Sequence, residues 1–218
     1  MPLPRSTIYI DGFNFYFGIF EKHPEWKWLN LESFFCHLRN RENVVAVKYF
    51  TAVIDPKKEA SLRRTRQETY LAALSTLQRV QIIHGVFQPR TVRCDADCRQ
   101  EYTVPEEKKT DVNIALAMVM DCIGDNTDSV VLVSGDSDQE PAIHWITKNC
   151  PQKHVTVYIP VLPQEQNKRR VDFYNSIGVL CRPLPLDNLS AHQLQNGVKV
   201  EAGRYACRPD EWHVPQSS

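Results

Sequence analysis

A chain of 218 residues with 42% hydrophobic, 10% aromatic and 24% charged residues has ordinary globular composition and enough apolar mass for a buried core, which excludes a disordered, collagen-like or coiled-coil protein. Lys plus Arg and Asp plus Glu each number 26, so the formal net charge is zero. That excludes a polycation gripping nucleic acid over its whole surface, but not a local basic patch.

The start Met1-Pro-Leu-Pro-Arg-Ser6 has no apolar signal core and leads straight into a β-rich run, Thr7 to Ile10, that stops at Asp11-Gly12. Leu31 to Leu38 has apolar residues at helical spacing, with Asn30 as its cap. Val44 to Ile54 reads as a strand, Lys57 to Leu77 as a long helix with a basic first half, and Val80 to Phe87 as a third strand. Pro89 to Glu107 is polar and reads as a loop or small insertion. Thr110 to Ile123 is a nearly all-apolar helix, hence expected to be buried. Ser129 to Val133 is a continuous apolar strand of the kind found at the centre of a parallel sheet. A turn (135–138), a helix (140–147), a strand (154–159), a helical segment (171–176) and a sixth strand around Gly178 to Leu180 follow. After Pro185 the chain turns polar: a short helix is expected near Leu189 to Leu194 and a loosely packed tail from about Val200. Strands alternating with helices imply parallel pairing and a three-layer α/β/α sandwich. One domain is expected over 5–185, with an irregular C-terminal extension over 186–218. No run of eighteen apolar residues exists, which predicts no membrane span. Seven cysteines (36, 94, 98, 122, 150, 181 and 207), several in apolar segments, predict a reduced, cytoplasmic protein rather than a disulfide framework.

Acids fall where such a sheet binds ligands. Asp11 and Asp136 stand at the tips of two strands, and Asp111 and Asp138 stand at or just before the first turns of helices that begin on the same edge. All four can face one crevice. Carboxylates so gathered raise one another's pKa unless a cation balances them. Oxygen-only ligation favours Mg²⁺ or Mn²⁺ over zinc, and such an ion activates water against a phosphate. Gly12 and Gly135 remove bulk beside the acids, Asn14 can bond a ligand or orient an acid, and Ser134 can support Asp136 or Asp138.

Ile10-Asp-Gly-Phe-Asn-Phe-Tyr16, Glu107-Lys-Lys-Thr-Asp-Val112 and Ser134-Gly-Asp-Ser-Asp138 resemble, in order and spacing, the signatures of NYN-domain proteins. These are the LabA-like branch of the PIN-like nuclease superfamily, and the resemblance covers about residues 5–182. It implies a PIN-like (Rossmannoid) sheet of strand order 3-2-1-4-5. It also implies a metal-dependent ribonuclease in which Asp11, Asp111, Asp136 and Asp138 form the catalytic, metal-holding site with Asn14 beside Asp11, giving 5′-phosphate and 3′-hydroxyl ends. The sequence departs from LabA-like relatives at Lys109-Thr110, where Gly-Val is frequent, and at Gln139-Glu140, where an aromatic is frequent.

Lys108 is placed to hold a flanking phosphate. Lys57, Lys58, Arg63, Arg64 and Arg66 can line a path for single-stranded RNA, with Lys168, Arg169 and Arg170 as a second basic cluster. A ring among Phe13, Phe15, Tyr16 and Phe17 is a candidate for base stacking, and the loop carrying Trp26 and Trp28 a candidate crevice wall. Cys94 and Cys98 have the spacing of half a zinc site. A homo-oligomer or a partner protein that supplies specificity stays open. Two other functions compete: an RNA-binding or regulatory module without turnover, and a small-molecule phosphohydrolase suggested by Asp136-Ser-Asp138. The second needs a nucleophile after the first strand, where only Asp11-Gly12-Phe13 stands. No Walker loop, Gly-x-Gly-x-x-Gly or Gly-x-Ser-x-Gly is present.

Overall fold

The computed structural model describes residues 2–53, 62–93, 100–162 and 168–213. Its elements in chain order are β1 (Arg5–Asp11), α1 (Gly12–Phe15), α2 (Leu31–Leu38), β2 (Asn43–Thr51), α3 (Leu62–Leu74), β3 (Val80–His84), β4 (Val86–Arg93), β5 (Glu101–Lys108), α4 (Thr110–Ile123), β6 (Ser129–Val133), α5 (Glu140–Asn149), β7 (His154–Ile159), α6 (Lys168–Ser176), β8 (Leu180–Pro183), β9 (Gly197–Lys199) and β10 (Tyr205–Cys207). Asn30 caps α2 as its sequence predicts, its side chain accepting the Ser33 backbone N–H at 2.9 Å.

Six strands form one all-parallel sheet in the order β3-β2-β1-β6-β7-β8. With β4 and β5 left out of the count this is the expected 3-2-1-4-5, plus a sixth strand at the edge. The chain winds one way from β1 and then, after β6, the other. The switch point therefore lies between β1 and β6, where Ile10 pairs with Val133.

Alternation along the strands separates the two faces. Ile8 and Ile10 of β1 pack with Phe15, Phe34, Phe35 and Leu71 on the face that α1, α2 and α3 cover. Tyr9, between them, packs with Ile114, Met118, Ile143 and Tyr174 on the face of α4, α5 and α6. Inside the second layer Asp121 of α4 accepts from the Tyr9 hydroxyl and from Lys48 Nζ, both at 2.6 Å. A carboxylate pinned by strands β1 and β2 fixes how far α4 slides along the sheet, and with it the position of Asp111 at the other end of the helix.

The structure corrects four sequence expectations. Pro89 to Glu107 is the small insertion of the two alternatives and not a loop: much of it belongs to an antiparallel ribbon, β4 with β5, pairing Val86 with Lys108. Charged residues hide the alternation of this ribbon, because it stands apart from the sheet. The apolar helix α4 is not buried all round, for Val112, Leu116, Met120 and Ile123 are each more than half exposed along one stripe. The segment after Val200 is not loose: β10 pairs with β9, and Trp212 is buried against the rings of Trp28 and Tyr70 at 6.0 and 6.3 Å. Trp28 is no crevice wall. It is wholly buried under that C-terminal segment, its Nε1 donating to the Gln195 carbonyl at 2.8 Å. No helix among the described residues is long and apolar enough to cross a membrane.

Candidate functional site

The strands of a parallel sheet end on one edge, and here the two central ones end in acids. Asp11 closes β1 and caps α1, accepting the Asn14 backbone N–H at 3.0 Å. Its carboxylate accepts two more bonds, from Asn14 Nδ2 at 2.8 Å and Ser134 Oγ at 3.0 Å. It is only 3% exposed, and burial pushes the carboxyl above the ordinary carboxylate range against the pull of those donors, with Asp136 adding to the rise. The turn that begins α1 presses on β2: a Cβ on Gly12 would lie 2.6 Å from the Phe50 carbonyl oxygen. Close approach, rather than a left-handed φ, is what calls for glycine there. Beside it the buried Tyr49 phenol is pushed up by burial and by the Asp11 charge.

A hydrogen-bonded path leads from Asp11 to the second strand end. Asn14 Oδ1 accepts the Gly135 N–H at 3.1 Å, and Ser134 Oγ accepts the Asp136 N–H at 3.0 Å. Asp136 then caps the turn Ser137–Gln139, accepting the Asp138 N–H at 3.1 Å. The third acid comes from α4. Lys109 enters it with φ 76°, in the left-handed region that favours glycine, and Asp111 follows in its first turn. Gln139, wholly buried, reaches across with Nε2 to the Asp111 carboxylate at 3.3 Å, and its Oε1 is a buried polar atom without a partner.

Asp111, Asp136 and Asp138 each bring a carboxylate oxygen within 4.8 Å of the other two. Asp111 and Asp136 are half-buried and Asp138 is exposed. This is a hard, all-oxygen donor set able to hold a divalent cation. Asp11, expected as the fourth member, is outside that cluster: it sits behind it, its oxygens taken up by Asn14 and Ser134. Asn14 bonds the Asp11 carboxylate and the Gly135 N–H, and Ser134 bonds the Asp11 carboxylate and the Asp136 N–H, so these two side chains link the two strand ends.

Lys108 ends β5, exposed, three residues before Asp111. Two α3 cations are partly neutralised: Arg64 pairs with Glu68 at 2.6 Å and Arg66 with Glu211 at 2.9 Å. Lys57, Lys58, Cys94 and Cys98 lie outside the described residues, as do the side chains of Lys168, Arg169 and Arg170. Phe13 packs edge-on against Phe87 of the ribbon at 5.8 Å, and Phe17 stays exposed.

Sequence reasoning missed two features. Gln139 carries no motif signal beyond its departure from the family pattern, and its contact with Asp111 joins residues far apart in the chain. Beside the acids, a groove of about 850 Å³ runs between α4 and α5 and reaches Phe173 of α6; Asp111 and Asp138 belong to its lining as well as to the cluster.

The profile of the NYN domain matches residues 5–176. The chain belongs to the NYN-domain family. A curated protein similar to it is 6-hydroxy-3-succinoylpyridine 3-monooxygenase HspA of Pseudomonas putida (strain DSM 28022 / S16), 31% identical over 198 residues. That alignment covers 76% of this chain and 61% of the relative, so the NYN chain spans about three fifths of that protein's length. No solved structure matches.

Proposed function

We propose that this NYN domain is a divalent-metal-dependent endoribonuclease that hydrolyses phosphodiester bonds in single-stranded RNA. The observation that carries the proposal is the convergence of Asp111, Asp136 and Asp138, from two separate elements of the fold, on the switch-point edge of the sheet. Three carboxylates so close repel one another unless a cation sits among them. Mg²⁺ or Mn²⁺ held by these three would supply positive charge to a phosphate oxygen and acidify a water. The remaining work belongs to the chain. Asp11, Asn14 and Ser134 lock the two strand ends together, so that Asp136 and Asp138 keep their places. Gln139 holds Asp111. Lys108 gives a flanking phosphate a cationic neighbour.

The test is cleavage. Labelled single-stranded RNA incubated with the full chain and Mn²⁺ should yield fragments with 5′-phosphate and 3′-hydroxyl ends, lost in EDTA and in Asp136→Asn. Undiminished cleavage by that variant overturns the proposal.

Two observations favour weighing other readings. The ion pairs of Arg64 and Arg66, with zero net charge overall, limit backbone grip and suit a regulatory RNA-binding module, which predicts binding without fragments. The name of the Pseudomonas relative points to oxygenation of a hydroxypyridine, which predicts uptake of O₂ with a reductant and no RNA fragments. Among the described residues the cluster is made of three carboxylates, with none of the imidazoles common in non-haem iron oxygenases, and that supports hydrolysis over it.

A further inference from the structure

A stripe of aliphatic side chains on α4 faces away from the core. Val112 is 61% exposed and Leu116 57%, and neither has a role in the core. Both line the groove beside the acids, with Pro141 opposite and Phe173, 42% exposed, at the far side. Besides the acids of the cluster, the polar groups of the lining are Ser137, Glu140 and His144. At one end the lining is Asp111 and Asp138, so an occupant of the groove is in reach of whatever the acid cluster holds.

That layout restricts the occupant. The apolar walls suit a flat, uncharged body and Phe173 offers it a ring face. His144 can donate to or accept from a hydrogen-bonding edge. Glu140 and the cluster acids of the lining, Asp111 and Asp138, repel an anion except where a cation sits among Asp111, Asp136 and Asp138. A molecule with an uncharged aromatic part joined to an anionic group meets all these terms, and about 850 Å³ admits a base with its sugar. We infer that the groove between α4, α5 and Phe173 seats an unpaired nucleobase of the strand whose phosphate lies at Asp111, Asp136 and Asp138. The inference rests on the ribonuclease reading and sharpens it. A base turned into the groove cannot stay in a duplex, so the substrate is single-stranded at that nucleotide.

Methyl-labelled full-length protein titrated with adenosine 5′-monophosphate in Mg²⁺ tests it. Val112 and Leu116 methyls should shift while those of the buried Ile114 stay still, and ribose 5-phosphate should move none of them. Phe173→Ala should weaken the titration at least fivefold, the low end for losing one stacked base. In cleavage assays an abasic nucleotide beside the scissile bond should slow wild type by a similar factor and Phe173→Ala much less. Methyl shifts without any RNA cleavage uphold the groove and overturn the hydrolase. Cleavage that is lost in Asp136→Asn, with unmoved methyls and an abasic substrate cut at the normal rate, overturns the groove alone. Shifts that follow protein concentration instead of nucleotide assign the stripe to a second copy of the chain, and an equal response to a plain hydroxypyridine removes the nucleotide as occupant; either result overturns the inference.

Discussion

Asp136→Asn should separate stability from metal binding. The closest oxygens of Asp111, Asp136 and Asp138 lie within 4.8 Å of one another. Unit charges at that distance repel by about 0.9 kcal/mol in a water-like dielectric and about 3.5 kcal/mol at an effective dielectric near 20. Two of the acids are half-buried and one is exposed, so the watery end governs. The substitution deletes two of the three pairwise repulsions and keeps the cap, because the amide oxygen of Asn can still accept the Asp138 N–H. Without metal the variant should be more stable than wild type by about 1–2 kcal/mol, or about 2–8 °C in Tm for a domain of this size. With Mn²⁺ the order should reverse. A cation at a hundred times its Kd adds about 2.7 kcal/mol to wild type, and little to a variant that has lost a ligand. Thermal unfolding in EDTA and across a Mn²⁺ titration reads both effects. Equal melting in EDTA together with equal gains from Mn²⁺ would refute the reasoning.

Lys109→Gly removes a left-handed lysine at the entrance of α4. That conformation costs an L-residue about 1–2 kcal/mol, and the flexibility of glycine in the unfolded chain offsets part of it, so Tm should hold or rise slightly; a fall of several degrees contradicts it. Trp212→Ala empties a site walled by Trp28 and Tyr70 and should cost about 3 kcal/mol, lowering Tm by about 6 °C or more; an unchanged melting curve would mean the C-terminal segment adds nothing. His192 bonds Ser33 Oγ through Nδ1 at 2.7 Å, beside Phe34 and His37, and His37 in turn meets Asn188 Nδ2 through Nε2. Burial, then the His37 charge, holds its imidazole below the ordinary histidine pKa. A base with a depressed folded pKa is stabilising while neutral, so its contribution is complete above about pH 6.5 and fades as pH falls below that. His192→Gln, which keeps an acceptor for Ser33, should flatten the loss of Tm as pH falls below about 6.5; identical slopes for variant and wild type would count against it.

The parts of this fold legible in the sequence are those that local chemistry decides. The run Ser129 to Val133 reads as a central strand because both its faces are covered, and every one of its residues is buried. The three acidic motifs announce the switch-point edge because strand ends and helix starts must meet there. What stayed hidden depends on partners distant in the chain. Asp11 looks like any other strand-end acid until Ser134, 123 residues away, takes its oxygen. The apolar pattern of α4 is that of a core helix, yet only Ile114, Met118 and Cys122 among its apolar residues are fully buried, and nothing local distinguishes them from Val112, Leu116 and Met120. Trp212 belongs to a polar stretch whose composition gives no sign of the aromatic site that receives it.

The central claim is that these aspartates hold a hard cation, and the most direct measurement is anomalous scattering from crystals of the full chain soaked in Mn²⁺. The account predicts a peak in coordination contact with carboxylate oxygens of Asp111, Asp136 and Asp138, and its loss in Asp136→Asn. A wild-type map with no manganese among those three side chains, at a concentration that occupies ordinary Mn²⁺ sites, would contradict it.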